Sequence, residues 1–271
     1  MKKEDITVEV IDAKKAKEYL DKNIYHNRRI SPHSLLQYST MMQKKQWIPN
    51  GDTVKFDVDG KLIDGQHRLS AVLKTGVPME TIVVRNLPRE AFNTLDFGKK
   101  RSAGDVLCTR GLSYTQNIAA SVRIVLSLRG LDNITPAAIT SIRNKITTPD
   151  IIDYVLTNED IAKDAQYVRT RYRTACRLLT SSVAVALYHI FRQIDEKLCT
   201  EFFSKLNGTL NIDVNEPLFK LREKLILRFN SESEILRQYK MLWPVQCWNI
   251  MRGEKDTGEM LKLDFEINKI K

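Results

Sequence analysis

LIDGQHRLSAVLKTG, residues Leu62 to Gly76, sets Asp64, Gly65, Gln66, His67 and Arg68 between a short apolar run and an amphipathic segment. That order predicts a strand, a sharp turn and a helix that stops at Gly76 as its left-handed cap. A solvated turn needs only the Asp-Gly pair, so the added Gln, His and Arg point to a ligand. Glycine at a strand-to-helix junction lets the backbone come close to a phosphate, and the helix N-terminus favours negative charge. Arg68 in the first turn can add a bidentate fork. His67 can donate to a phosphate or carry a proton, and Asp64 can hold Mg²⁺ or orient an arginine. A plainer reading stays open beside this one: Asp64-Gly65 as a turn, Gln66 as a cap and Arg68 as a surface residue.

The flanks repeat the theme. Upstream, Asn27, Arg28 and Arg29 precede a helix signalled by Ser31 as N-cap, Pro32 at its first position and Leu35, Leu36, Tyr38, Met41 and Met42 at helical spacing. Downstream, Lys99, Lys100 and Arg101 run into Ser102-x-x-Asp105, a capping box that opens another helix. Three cations there suit an anion nest, although a charge run also serves as a solvated face. Between these lie TVKFDV as a strand, Asp59-Gly60 as a tight hairpin, KLI returning and ETIVVRNL as a further strand. DAKKAKEYLDKN reads as a short polar helix, and REAFNTLDFG as a short helix or turn.

Beyond about Ser102 the periodicity is helical, in NIAASVRIVLSLRG, PDIIDYVLTNEDIAKDAQYVRTRYRTACRLL, SSVAVALYHIFRQIDEKLCTEFFSKLNG, EPLFKLREKLILRF and SEILRQYKMLWPVQCWNIMRG. The expected organisation is α+β, with an N-terminal domain over 1–110 and a mostly α-helical domain over 111–271. Within YVRTRYRTACRLL, Arg169, Arg171, Arg173 and Arg177 surround Tyr167 and Tyr172, a basic and aromatic stretch suited to nucleic acid. Arg169, Arg173 and Arg177 would share one helical face. Trp243 and Trp248 read as core, as does His189 inside VALYHIFRQI.

At 271 residues the chain can bury a substantial core. Its net charge of +10 is spread, with 20 Lys/Arg against 14 Asp/Glu over residues 1–110 and 23 against 19 over the rest. Nucleic acid is the commonest partner of such a balance. No window approaches a membrane span and no secretory h-region follows the basic start, so the expected location is the cytoplasm. Cys108, Cys176, Cys199 and Cys247 are scattered without zinc spacing, so reduced thiols and no zinc are expected.

NRR before a helix, a strand ending in DGQHR, a helix ending in glycine and then VPMETIVV together resemble the ParB/sulfiredoxin superfamily over residues 5–108. The spelling DGQHR and the following DFGKKRSAGDVL are most similar to ParB-like proteins of bacteriophages. The resemblance implies a ParB/sulfiredoxin-like domain followed by helices, in a bacterial host's cytoplasm. It implies that Gly65, Gln66, His67 and Arg68 cradle nucleotide phosphates, with Asn27, Arg28 and Arg29 on the opposite wall. A nucleoside triphosphate, CTP or ATP, would be the cofactor, with Mg²⁺ as its companion. Two residues depart from the pattern, Arg28, which stands where the motif has Pro, and Gln66. Partitioning proteins carry Glu at the place of Gln66, and glutamine cannot act as a general base. Sulfiredoxins carry a catalytic Cys there, which Gln66 removes.

Three functions follow from these residues. The first is a nucleotide-linked DNA-binding module. The second is a nuclease or nucleotidase using His67 with an Asp64-bound metal. The third is a regulator or anti-defence factor whose helical half grips a protein partner. The expected partners are nucleic acid, DNA foremost, a protein at the helical half and a second copy in a homodimer, with no membrane.

Overall fold

The computed structural model describes residues 5–23, 29–95, 101–129, 133–229, 235–253 and 267–268. The chain forms two compact units, residues 1–100 and 101–271. This boundary falls ten residues before the expected one. The reason is the helix Ala103–Cys108 (α4), which packs against Thr115–Arg129 (α5) and so belongs to the second unit.

The first unit is α+β. Strand β1 (Asp5–Ile11) leads through Asp12, whose side chain accepts from the Lys15 N–H, into α1 (Ala13–Leu20). Ser31 caps α2 (Pro32–Gln43) as its sequence predicts, with Pro32 at the first position. β2 (Thr53–Asp57) turns back through Asp59 and Gly60 into β3 (Leu62–Asp64). The buried Asp57 carboxylate closes this turn by accepting from the N–H groups of Asp59 and Lys61. α3 (Gln66–Thr75) follows and ends at Gly76, whose φ of 70° permits the left-handed cap. β4 (Met79–Leu87) then returns to the sheet, and a 3₁₀ turn (Arg89–Thr94) follows it.

The sheet order is β1-β4-β2-β3, with β4 antiparallel to β1 and parallel to β2. One continuous core joins the sheet to the helices through Ile11, Tyr19, Met42, Val54, Phe56, Leu62, Leu69, Val72, Met79 and Val83. β1 is an addition to the elements read from sequence. It turns Thr7 and Glu9 toward Tyr19 and Arg85 and leaves Ile6, Val8 and Val10 exposed.

The second unit is almost entirely helical. After α4 and α5 come β5 (Asn133–Ile134), α6 (Pro136–Lys145), α7 (Thr148–Thr157), α8 (Asp160–Arg171) and α9 (Arg173–Leu179). Then follow α10 (Ser181–Ile194), α11 (Glu196–Asn207), α12 (Pro217–Phe229), α13 (Ile235–Met251) and β6 (Ile267–Asn268), which pairs with β5. α10 is the central helix: Val183 to Phe191 are all buried, as expected of a helix enclosed on every side. Phe191 stacks on Trp248 at 4.1 Å between ring centroids, so the tryptophan is core. No described helix is long and apolar enough to cross a membrane, and the α9–α10 pair that would suffice in composition is bent by 110°.

Candidate functional site

The DGQHR segment lies at the floor of a cleft of about 410 Å³ in the first unit. Its geometry begins with Gly65, which has a φ of 105° and takes the N-cap position of α3 without any side-chain cap. A Cβ at this residue would stand 3.0 Å from Val54 Cγ2 and 3.4 Å from the Val54 Cα. Glycine is therefore required twice, by the dihedral and by the contact with β2. The start of α3 is thus pressed onto β2, with its uncapped first turn at the cleft.

Arg68 departs from the reading of it as a surface residue. It is buried, at 6% exposure, and its Nη2 donates to the Thr53 carbonyl at 2.7 Å. The same guanidinium stands 3.6 Å from Asp64 Oδ2 and 3.9 Å from Asp52 Oδ2. Its Nη1 is buried without a hydrogen-bond acceptor. Arg68 therefore clips α3 to β2 while leaving one N–H nitrogen at the cleft without a hydrogen-bond acceptor. It is not a surface residue, and Gln66 is not the cap of α3, whose N-cap position Gly65 takes. Gln66 is buried, and its Oε1 accepts from Asn23 Nδ2 at 3.1 Å.

Lys55 is the residue that motif reading misses. Its Nζ lies 2.9 Å from Asp64 Oδ2. The signal is present in β2, where Val54 and Phe56 enter the core and Lys55 is left to face the other way. Asp52 and Thr53 line the same cleft, and Tyr38, Ile63, Phe92 and Leu95 supply its less polar wall. Charged groups beside aromatic ones, in a cleft of this size, suit a ligand with a ring and an anionic part.

His67 lines the cleft too, but its Nε2 accepts the backbone N–H of Ser31 at 3.0 Å. The imidazole thereby holds the entry of α2 against the start of α3. Asp64 is similarly engaged, because Lys55 and Arg68 converge on one of its oxygens. Among the described residues no group of three or more His, Cys, Asp or Glu side chains could hold a metal ion. Asp64, the carboxylate expected to hold Mg²⁺, has Lys55 and Arg68 on one oxygen, and Gly65 beside them leaves the backbone open to the cleft.

Of the remaining expected phosphate ligands, Asn27, Arg28, Lys99 and Lys100 lie outside the described residues. Arg29 is exposed and does not line the cleft. Arg101 is exposed and opens the second unit, and Asp105 is committed to the capping box with Ser102. No family model, no curated protein and no solved structure matches this chain. The site's own chemistry therefore carries the functional reading.

In the second unit, Arg169, Arg173 and Arg177 do not share one helix. α8 ends at Arg171, and Tyr172, at φ −115° and ψ 56°, starts the chain on α9. Tyr172 is buried against Tyr188 and Phe203, so it cannot stack on a base. Arg171 is exposed and stands apart, whereas Arg169, Arg173 and Arg177 line one cleft with Cys176 and Ser181.

Proposed function

We propose that the first unit binds the phosphate groups of a nucleotide, and that the chain acts as a nucleotide-linked DNA-binding module of the phage ParB-like kind. One observation carries the reading. The uncapped start of α3, pressed against β2 at Gly65, shares a cleft with Lys55 and with a buried Arg68 that has a hydrogen-bonding nitrogen unused. A buried donor without an acceptor is unfavourable by about 1–3 kcal/mol, and a phosphate oxygen would relieve it. The resemblance of DGQHR to the ParB/sulfiredoxin motif supports the same ligand, and the net charge of +10 supports DNA.

Hydrolysis is the weaker reading. His67 Nε2 is occupied by Ser31, Gln66 offers no carboxylate, and Asp64 is neutralised by two cations. A base and a metal are the two things a nuclease would need here.

Calorimetry of the full chain against CTP, ATP and GTP, with and without Mg²⁺, tests the proposal. Lys55→Met should weaken nucleotide binding by about 1.5 kcal/mol or more, the worth of a charge-assisted hydrogen bond, with a modest fall in thermal midpoint from the lost bond to Asp64. Normal binding by Lys55→Met, or no heat from any of the three nucleotides, would overturn it.

A further inference from the structure

From residue 165 to residue 194 the chain carries five arginines and no carboxylate. One of the five, Arg192, is tied to Asp160 and Asp164 on α8. Three others meet in a single place. The break at Tyr172 and a second at Thr180, with φ 84° and ψ 147°, fold α8, α9 and the start of α10 around a cleft of about 260 Å³. Arg169, Arg173 and Arg177 line it together with Cys176 and Ser181.

None of these three arginines has an ion-pair or hydrogen-bond partner among the described residues. Arg169 is held instead by an aromatic face, its guanidinium 4.7 Å from the ring centroid of Tyr114, and its Nε is buried without an acceptor. The fold has therefore gathered three like charges in a concavity without a balancing acid. Each guanidinium raises the free energy of the others, and an anion set among them reverses the sign of that interaction. Solvated surface arginines fan apart into water, whereas these line one depression. The Ser181 hydroxyl adds a donor of the kind that phosphate oxygens accept.

We infer that this cleft holds a phosphate group of a nucleic-acid backbone. The inference deepens the proposed function by naming where its DNA partner is gripped, but its geometry stands on the second unit alone. Free phosphate shares the chemistry. The backbone is favoured because the chain's excess charge is spread over both halves, as a ladder of successive phosphates requires and a single ion does not.

Cys176 supplies the readout, since it lines the cleft and is half-buried. Burial pushes its thiol pKa up, with Ser181 and the Arg169 charge offsetting part of that rise, so labelling is slow and easily timed. In the full chain carrying Cys108→Ser, which removes the exposed thiol, the maleimide labelling rate of Cys176 is measured alone and with four probes. These are inorganic phosphate, a single-stranded oligonucleotide, a DNA duplex and a phosphoserine peptide. Micromolar oligonucleotide or duplex should slow labelling at least tenfold, and phosphate should do so only at millimolar concentration. The pair Arg173→Glu and Arg177→Glu, both at exposed positions, should abolish protection with the circular dichroism unchanged. Nucleotide binding at the Gly65 cleft should persist in that variant, so the two sites fail or stand separately. Absent protection, protection that survives the double variant, or protection by the phosphopeptide or free phosphate in preference to DNA would overturn the inference.

Discussion

The backbone N–H of Ser31 donates to His67 Nε2 across 3.0 Å, joining the N-cap of α2 to the second residue of α3. An accepting Nε2 places the imidazole proton on Nδ1. The histidine of the motif is thus a brace between two helix starts. His67→Ala should lower stability by about 1 kcal/mol, the usual net worth of such a bond, and leave nucleotide binding within a few-fold of the parent. Urea denaturation and calorimetry on the same variant measure both. Complete loss of binding with unchanged stability would instead make His67 a direct ligand.

Gly65 gives a sharper case. An alanine there meets left-handed backbone strain of about 1–2 kcal/mol and a Cβ contact with Val54 at 3.0 Å. Gly65→Ala should therefore lose at least about 2 kcal/mol of stability and weaken phosphate binding, because α3 must draw back from β2. Gly76→Ala supplies the control. It has the same sign of φ but open space around its Cβ, so only the strain should appear. Equal losses at the two positions would show that the contact with Val54 contributes nothing.

Much of this site could be read from sequence, and the rest was hidden for identifiable reasons. Ser31, Gly76 and the Ser102–Asp105 box announce helix ends because each satisfies or permits one local backbone geometry. Lys55 escapes a motif search because it reaches the cleft from a different strand, nine residues before Asp64. The burial of Arg68 is equally invisible locally, since it depends on the Thr53 carbonyl of that strand. β1 hides for another reason. Its apolar Ile6, Val8 and Val10 face outward, and its inward Thr7 and Glu9 are bonded chiefly by Arg85 and Tyr19, partners distant in sequence. The break at Tyr172 has no Gly or Pro to mark it; what fixes it is the burial of the ring among Tyr188 and Phe203.

The Glu9 cluster predicts an acid-sensitive first unit. Burial alone would raise the Glu9 pKa, but bonds from Lys15, Tyr19, Thr7 and Arg85 outweigh it and hold the carboxyl at about 2, down from 4.5. A folded pKa below the unfolded one gives stability that is present above about pH 4.5 and disappears as pH falls through 2. Glu9→Gln should lower stability by about 1–2 kcal/mol at pH 6, and the difference from the parent should shrink toward pH 2. Urea midpoints across that range decide it. A gap that stays constant with pH would mean that the Glu9 charge is not what these donors stabilise.

The second unit contains a buried charge whose loss should be more severe. Asp164, at 5% exposure, lies 2.7 Å from His189 Nδ1 and 3.0 Å from Arg192 Nε. His189 is fully buried, and its Nε2 is 3.0 Å from both the Tyr154 hydroxyl and Gln193 Nε2. The glutamine nitrogen can only donate, so Nε2 accepts, and the ring proton sits on Nδ1 facing Asp164. The pair is then a carboxylate held by a neutral imidazole and by Arg192, linking α8 to α10. Asp164→Asn keeps the shape but leaves Arg192 only the exposed Asp160 as counter-charge, at a cost of about 1–3 kcal/mol. With Trp47→Phe as background, fluorescence reports only Trp243 and Trp248, both in this unit, and urea unfolding isolates the effect. Asp164→Ala and His189→Ala should be strongly non-additive, with a coupling of about 1–3 kcal/mol. Additive losses, or an Asp164→Asn variant within about half a kcal/mol of the parent, would show that α8 and α10 are held by their apolar contacts alone.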